Sequence, residues 1–303
     1  MAYRIDPGEP VVGEIRRILR DQLDRAVADL RGPNGTDAES IHDARRRIKK
    51  ARSALRLSRA LFGARVTRLA NAELRAVARS IAPQRDADAR VEAVDRILGG
   101  LADGDPARPA IELVRRHSAV AAEAQRSAGS VDTALAHGAA RRLQQTGDWL
   151  QRVPTRSDGW EALEEGLRRQ YARGRRQLRH LGSAPGDDER HDWRKRAKDL
   201  WYHERLLKDL WPAGQKPYVR TASALADLLG DDHDLSLVRS FVEADDQLGP
   251  DDRHTALDVI DARRADLLAE ARALGALVYA DHPSAWADRH GTWWALRREA
   301  GDG

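Results

Sequence analysis

Two stretches of the sequence, 149 residues apart, repeat one arrangement of histidine and cationic side chains. The first begins at His42 and the second at His191. On a helix of about 100° per residue, positions i, i+3, i+4 and i+7 share one face. That rule puts each histidine on a polar face with apolar side chains behind it. The other residues of these faces are Arg45, Arg46, Lys49, Arg52 and Arg56 in the first stretch, and Arg194, Lys195, Lys198, Tyr202 and Arg205 in the second. Arg47 and Arg196 point about 140° away from the histidines, so we expect them to matter less.

The repetition extends beyond these two stretches. Arg85 with the following aspartate matches His233 with its own aspartate, at an offset of 148 residues. A merely solvated charged face has no reason to repeat its histidine and cation positions, whereas a binding site with two similar halves does. We therefore predict an internal duplication, with residues 1–152 as the first repeat and residues 158–303 as the second.

The composition favours helices over strands. Ala, Leu and Arg dominate, Val and Ile are sparse, and Thr is rare. No segment alternates apolar and polar residues with a period of two. A chain of 303 residues suits two units of about 150 residues each. We predict an all-α fold with two pseudo-symmetric helical bundles, of about six helices each, around a central basic cavity.

Glycine and proline residues set the predicted helix boundaries. The first basic helix is expected to end near Phe62 and Gly63, where a glycine suits the helix C-terminus. In the second half, we predict one helix from about Pro217 to Leu229 and a separate one from Asp232 to Glu243.

Several classes of protein are disfavoured by the sequence. The chain has no cysteine, which excludes disulfides and thiolate metal sites and fits a reducing cytoplasm. No apolar run approaches the roughly 20 residues of a membrane span, and the N-terminus has no hydrophobic signal core. The net charge is only +4, so the distribution of charge matters more than the total. We expect a cytoplasmic protein without a membrane partner.

The two basic faces together predict a site for a polyanion. If the repeats pack about a two-fold axis, the faces enclose a trough of guanidinium, ammonium and imidazole groups. Helix starts at Arg85 and His233 would add backbone N–H groups, which favour anions. Such a trough repels itself unless an anion fills it, and arginine binds phosphate through two parallel hydrogen bonds. The first helix of each repeat would add Arg16, Arg20, Arg168 and Arg175.

Aromatic side chains do not alternate with the cations, as they do in proteins that bind single-stranded nucleic acids. Tyr202 lies on the second basic face, where we expect its hydroxyl to donate to phosphate. The pairing of His42, His191 and His233 with a following aspartate raises the alternative of a metal-dependent phosphohydrolase. The neighbouring side chains are Arg and Lys, which repel a metal ion. We expect no catalytic residue, no metal and no cofactor.

These basic stretches, together with SIAPQRDADARVEAV and LADLLGDDHDLSLVR, resemble the CHAD domain, the conserved histidine α-helical domain. The resemblance implies two helical bundles around a basic cavity, binding of inorganic polyphosphate and association with polyphosphate granules in bacterial cells. It does not imply catalysis. Many relatives carry an N-terminal triphosphate-tunnel domain, for which this chain has no room, so we expect a stand-alone module. Trp201 stands where the family usually has a cation, which predicts a weaker subsite there.

Two alternatives to polyphosphate binding remain open from the sequence. The same trough would suit a module that binds nucleic acid or inositol phosphates, and a phosphohydrolase is the second alternative. No protein partner is identifiable from the sequence.

Overall fold

The computed structural model describes residues 3–81, 85–128 and 131–300, and within these ranges it contains helices and no strand. The predicted all-α fold is confirmed. The helices are α1 (Val11–Arg31), α2 (Ala38–Leu57), α3 (Arg59–Ser80), α4 (Arg85–Gly100), α5 (Arg108–Ala128), α6 (Thr133–Arg152), α7 (Glu161–His180), α8 (Asp187–Leu207), α9 (Pro212–Ala244), α10 (Pro250–Val278) and α11 (Pro283–Glu299).

The two basic stretches form α2 and α8, and their apolar positions are buried as the periodicity predicts. Ala44, Ile48 and Ala51 of α2 and Trp193 and Ala197 of α8 are fully buried. Each helix therefore anchors one face in the core and leaves its cationic face for the site.

The chain breaks between α2 and α3 close to the predicted position. α2 ends at Leu57, and α3 contains a sharp kink at Gly63, where φ is 78°. Few residues other than glycine adopt this left-handed conformation. A Cβ atom at Gly63 would also lie 3.0 Å from the guanidinium carbon of Arg156. The kink lets the chain turn back so that α3 runs beside the cationic face of α2.

Helix α9 differs from the prediction, because it runs without interruption where two helices were expected. Gly230 lies inside it, although glycine costs about 1 kcal/mol in a helix interior. The helix is held on both sides of this glycine. Leu225 and Leu229 pack into one hydrophobic core, and Val238 and Val242 pack into another. Burial of these side chains offsets the low helix propensity of the glycine.

The two hydrophobic cores are each built from both halves of the sequence. The larger core joins α1, α2, α3 and α6 to α7, α8, the first half of α9, the end of α10 and α11. The smaller core joins α4 and α5 to the second half of α9 and the first half of α10. The division into repeats at residues 1–152 and 158–303 stays a prediction, and the hydrophobic packing crosses it in both cores.

Along the described part of the chain, no helix combines the length and the apolar character needed to cross a membrane.

Candidate anion-binding cavity

A cavity of about 690 Å³ lies between α2, α3, α7 and α8, with one residue contributed by α9. Among the described side chains that line it, thirteen are Lys or Arg, two are His, one is Tyr and a single one, Asp199, is acidic. The cations are Arg45, Lys49, Arg52, Arg56, Arg59, Arg68, Arg75, Arg169, Arg173, Arg194, Lys195, Arg196 and Lys198. Like charges gathered in one cavity raise the local concentration of anions and favour binding of a negatively charged ligand.

Helix α2 supplies one wall through residues spaced three or four apart. Arg45, Lys49, Arg52 and Arg56 all line the cavity, opposite the apolar positions that anchor the helix. Arg56 also donates from Nη1 to the side-chain oxygen of Asn71, at 3.1 Å. The spacing therefore places four cations in one row along the cavity.

Helix α7 reaches the cavity because it packs closely against the end of α2. A Cβ atom at Gly166 would lie 1.7 Å from the backbone oxygen of Leu57. The glycine allows this approach, and Arg169, Gln170 and Arg173 of α7 then line the cavity. The close packing of two backbones thus brings arginines of α7 to the cationic face of α2.

Some polar nitrogen atoms in the cavity wall are buried without a hydrogen-bond partner among the described residues. They include Nε of Arg52, Nε of Arg56 and Nδ1 of His191. A buried polar group without a partner costs about 1–3 kcal/mol. The two guanidinium groups therefore keep Nε–H donors that have no acceptor in the described part of the cavity wall.

Asp199 links the two main walls of the cavity. Its carboxylate accepts a short hydrogen bond from Nη2 of Arg56 on α2, and lies 3.5 Å from Nη1 of Arg196 on its own helix. The residue is 6% exposed. Burial and the neighbouring Arg56 lower the pKa of Arg52 to about 10, whereas the charge of Asp199 acts in the opposite direction. The carboxylate therefore offsets part of the repulsion between the arginines.

Two histidines meet at the cavity from different helices. The ring centroids of His191 on α8 and His233 on α9 are 4.8 Å apart. Burial lowers the pKa of both, and nearby cations, Lys195 and Arg194 for His191 and Arg194 for His233, lower it further. The pKa of His233 falls to about 3. Both rings are therefore neutral in the free protein near pH 7.

A network of ion pairs behind the histidines fixes the helices that carry them. Arg190 precedes His191 and donates from Nη1 to Asp232, at 2.6 Å, while Asp232 precedes His233. Arg264 of α10 donates from Nε to the same carboxylate oxygen, at 3.2 Å, and makes a short contact with Asp187. Asp232 and Arg264 are buried. The network joins α8, α9 and α10 at the point where the histidines face each other.

The structure brings together ten of the side chains that the sequence placed in the site. They are Arg45, Lys49, Arg52, Arg56, His191, Arg194, Lys195, Lys198, Tyr202 and His233. His233 reaches the cavity from the middle of α9, so the predicted helix start at this residue, with its free backbone N–H groups, is not observed.

The other predicted side chains lie elsewhere or are not described. Arg16 donates to the backbone oxygen of Val153 at 2.8 Å, and Arg175 donates to that of Tyr279 at 3.1 Å. Arg46 pairs with Asp43 at 3.0 Å. The further predicted residues outside the cavity lining are Arg20 and Arg168, which are exposed, His42, which is half-buried, and Arg205, whose guanidinium lies 5.0 Å from the ring centroid of Trp201. The side chain of Arg85 lies outside the described part of the structure.

The geometry explains why the first helices of the predicted repeats contribute differently. α1 packs against α2 and α6, which leaves its arginines away from the cavity. α7 does line the cavity, but through Arg169 and Arg173, so the contributing face starts one residue after the predicted Arg168. Arg196 lines the cavity too, although the helical angle from His191 placed it off the face.

Sequence reasoning missed the whole contribution of α3. Arg68 and Arg75 line the cavity, with Asn71 between them. Their spacing of three and four residues is the same signal that identified α2. This stretch has no histidine on the same face and no repeated copy in the second half, so its spacing alone does not distinguish it from an ordinary solvated face. Arg59 from the first turn of α3 and Asp199 of α8 were missed as well.

Within the described ranges, no three His, Asp or Glu side chains are grouped so that they could hold a metal ion.

Comparisons with known proteins agree on one family and one fold. The family model described as the CHAD domain matches residues 16–243. The structure is similar to that of PptA from Streptomyces chartreusis, with a TM-score of 0.61 and 16% sequence identity, covering 90% of this chain and 100% of the other. It is also similar to the crystal structure of the CHAD domain from the plant Ricinus communis, with a TM-score of 0.60 and 17% identity, covering 89% of each chain. No curated protein sequence matches this chain significantly.

Proposed function

This chain belongs to the CHAD domain family, and we propose that its basic cavity binds inorganic polyphosphate without catalysing a reaction. The observation that carries this proposal is the cavity itself, whose described lining contains thirteen lysine and arginine side chains, two histidines and one carboxylate. The family resemblance in the basic stretches supplies the identity of the polyanion. The proposal extends to association with polyphosphate granules in the bacterial cytoplasm.

The chemistry of polyphosphate fits this lining. Each phosphate unit offers bare oxygen atoms and carries negative charge, and guanidinium groups bind such oxygens through parallel hydrogen bonds. The cavity volume of about 690 Å³ lies in the range of about 300–1,000 Å³ that is typical of small-ligand sites. A narrow chain of phosphates can enter a cavity of this size. A double helix is too wide to enter a cavity of this volume and would contact only its mouth.

The aromatic residues also favour phosphate over bases. Tyr202 is the one aromatic residue besides the histidines among the described side chains of the lining, and it is buried in a T-shaped contact with the ring of Tyr3. Proteins that bind single strands offer exposed rings on which successive bases stack. Buried in this way, Tyr202 offers no exposed ring face on which a base could stack.

Isothermal titration calorimetry of the purified chain with polyphosphate of defined length tests the proposal. We expect tight binding that duplex DNA and inositol hexakisphosphate displace only weakly. An Arg47→Gln variant should bind polyphosphate like the wild type, because Arg47 lies on α2 but pairs with Asp29 at 2.6 Å. Stronger binding of DNA or inositol hexakisphosphate would favour the corresponding alternative. Release of phosphate in the presence of Mg²⁺ or Mn²⁺ would identify a phosphohydrolase instead.

A fluorescent fusion tests the cellular part of the proposal. We expect it to concentrate on polyphosphate granules in bacterial cells and to become diffuse when cavity arginines are replaced. An unchanged pattern in the cavity variant would mean that another surface of the protein determines its location.

A further inference from the structure

We propose that Asp199 is a resident counter-ion of the cavity, which holds its arginines together in the free protein and limits how tightly a phosphate ligand binds. This inference rests on the proposed function, because it describes how the same site is tuned for its ligand. It concerns a carboxylate that the expected pattern of histidines and cations does not include.

The position of Asp199 sets it apart from the other acidic residues. It is the single acid among the described side chains of the lining, and its carboxylate is buried. The contact with Arg56 joins α8 to α2 across the cavity. In the repeat alignment, Asp199 corresponds to Lys50, 149 residues earlier. Lys50 lies outside the cavity lining, with its amine 5.6 Å from the ring centroid of Tyr3. The acidic residue is therefore present in α8 and replaced by a lysine at the aligned position of α2.

The charges around Asp199 show what it does in the free protein. Arg52, Arg56, Arg173 and Arg196 all line the cavity, and their like charges repel one another. Burial and Arg196 lower the pKa of Arg173, as burial and Arg56 do for Arg52. Asp199 opposes the shift at both residues. Without this carboxylate, these guanidinium groups would lose the one acidic side chain that the described lining offers them.

A phosphate ligand and Asp199 compete for the same donors. Arg56 and Arg196 are engaged by the carboxylate until phosphate oxygens share or replace it. The bound phosphate is also repelled by the carboxylate charge. Loss of the Asp199 charge therefore strengthens binding in two ways. It destabilises the free protein, and it removes a repulsion from the complex.

The test replaces Asp199 by asparagine, which keeps the shape and removes the charge. We expect Asp199→Asn to bind polyphosphate about tenfold more tightly, as a like charge near the ligand implies. We also expect a lower Tm at low salt, with the difference from the wild type shrinking as salt rises. Asp258→Asn is the control, since it removes one negative charge from an exposed position on α10 and should change neither property.

Unchanged or weaker binding by Asp199→Asn would overturn the inference and make the residue a structural anchor for Arg56. Should this variant fail to fold, the double variant Asp199→Asn, Arg196→Gln provides the test, because it removes one charge of each sign. It should fold and bind polyphosphate within a few-fold of the wild type. Misfolding or loss of binding in the double variant would again indicate an anchor.

The outcomes separate this inference from the proposed function. If the wild type does not bind polyphosphate, the proposed function fails. The counter-ion role is then decided by the Tm comparison alone, and a Tm difference that does not depend on salt would overturn it.

Discussion

The imidazole rings of His191 and His233 face each other 4.8 Å apart at the wall of the cationic cavity. They come from two helices whose relative position is fixed by the ion pair between Arg190 and Asp232. Burial and the neighbouring cations hold both rings neutral in the free protein. An anionic ligand in the cavity reverses the sign of the local potential, which favours the protonated form of both rings.

We therefore expect polyphosphate binding to take up protons and to strengthen as the pH falls. The pKa of His233 is about 3 in the free protein and that of His191 is also lowered, so neither ring carries a proton near pH 7 before binding. The ligand raises both pKa values, and by linkage the affinity then rises as the pH decreases through the values of the complex. The pair can contribute at most two protons.

Calorimetry near pH 6.5, in two buffers with different ionisation enthalpies, measures this uptake directly. Loss of uptake in a His191→Gln, His233→Gln variant would assign it to the pair and separate it from protonation of the ligand's own terminal phosphates. His254→Gln is the control, because His254 is highly exposed on α10. Equal heats in both buffers for the wild type would mean that the histidines act as neutral donors or packing residues.

Arg52 and Arg47 of α2 offer a matched test of which face of this helix binds the ligand. Arg52 lines the cavity, whereas Arg47 pairs with Asp29 outside it. We expect Arg52→Gln to weaken polyphosphate binding about tenfold or more, through loss of a charged donor in a buried site. Arg47→Gln should leave the affinity nearly unchanged.

The salt dependence of the affinity checks the same pair of variants. The logarithm of the association constant should fall as the logarithm of the salt concentration rises, because cations that meet a polyanion release counterions. Arg52→Gln should reduce the slope and Arg47→Gln should not. Equal losses of affinity in both variants would show that the ligand does not bind in the cavity.

The helical period predicted most of the buried and cavity-lining residues of α2 and α8. Only one orientation of each helix buries its apolar residues together. Burial of Ala44, Ile48 and Trp193 orients the cationic faces away from the core. Of the two aligned histidines, His191 lines the cavity and His42 does not. The position of Arg16 depended instead on an assumed two-fold packing of the first helices. In the structure α1 packs against α2 and α6, and its arginine bonds to a backbone oxygen. The helical period thus predicts which side chains of a helix are buried. It does not predict which neighbouring helix packs against them.

Two other features depend on contacts that no local pattern contains. α9 continues through Gly230 because side chains on both sides of it are buried in different cores. In the sequence, nothing distinguishes Asp199 from an ordinary acidic residue on the surface. Its contact with Arg56 depends on the packing of α8 against α2. Both features come from tertiary packing, which overrides local propensity.

Arg264 is predicted to stabilise the junction of α8, α9 and α10. It is 6% exposed, and it contacts Asp187 and Asp232 through separate nitrogen atoms. Arg264→Gln should lower the free energy of unfolding by about 3 kcal/mol, as expected when one partner of a buried ion pair is removed. Urea denaturation measures the change. Arg263→Gln, at the exposed preceding position, should change it by less than about 0.5 kcal/mol. Similar values for the two variants would show that the buried network adds no stability.

Gly166 and Gly13 provide a final matched pair, because both are glycines inside helices with very different surroundings. A Cβ atom at Gly166 would lie 1.7 Å from the backbone oxygen of Leu57, whereas one at Gly13 would meet no atom within 4 Å. Gly166→Ala must push α7 away from the end of α2, and we expect a loss of about 3 kcal/mol in stability, the upper range for overpacking. Gly13→Ala should instead stabilise the protein by about 0.5–1 kcal/mol, through its effect on the unfolded chain.

The binding of polyphosphate distinguishes this pair further. Displacement of α7 moves Arg169 and Arg173 away from the cavity, so Gly166→Ala should weaken binding under conditions where the variant is still folded. Calorimetry at a temperature well below the Tm of the variant, with circular dichroism to verify its helix content, measures this loss. Gly13→Ala should bind like the wild type, since α1 contributes no described side chain to the cavity. A folded Gly166→Ala protein with undiminished affinity would show that the arginines of α7 are not needed for the ligand.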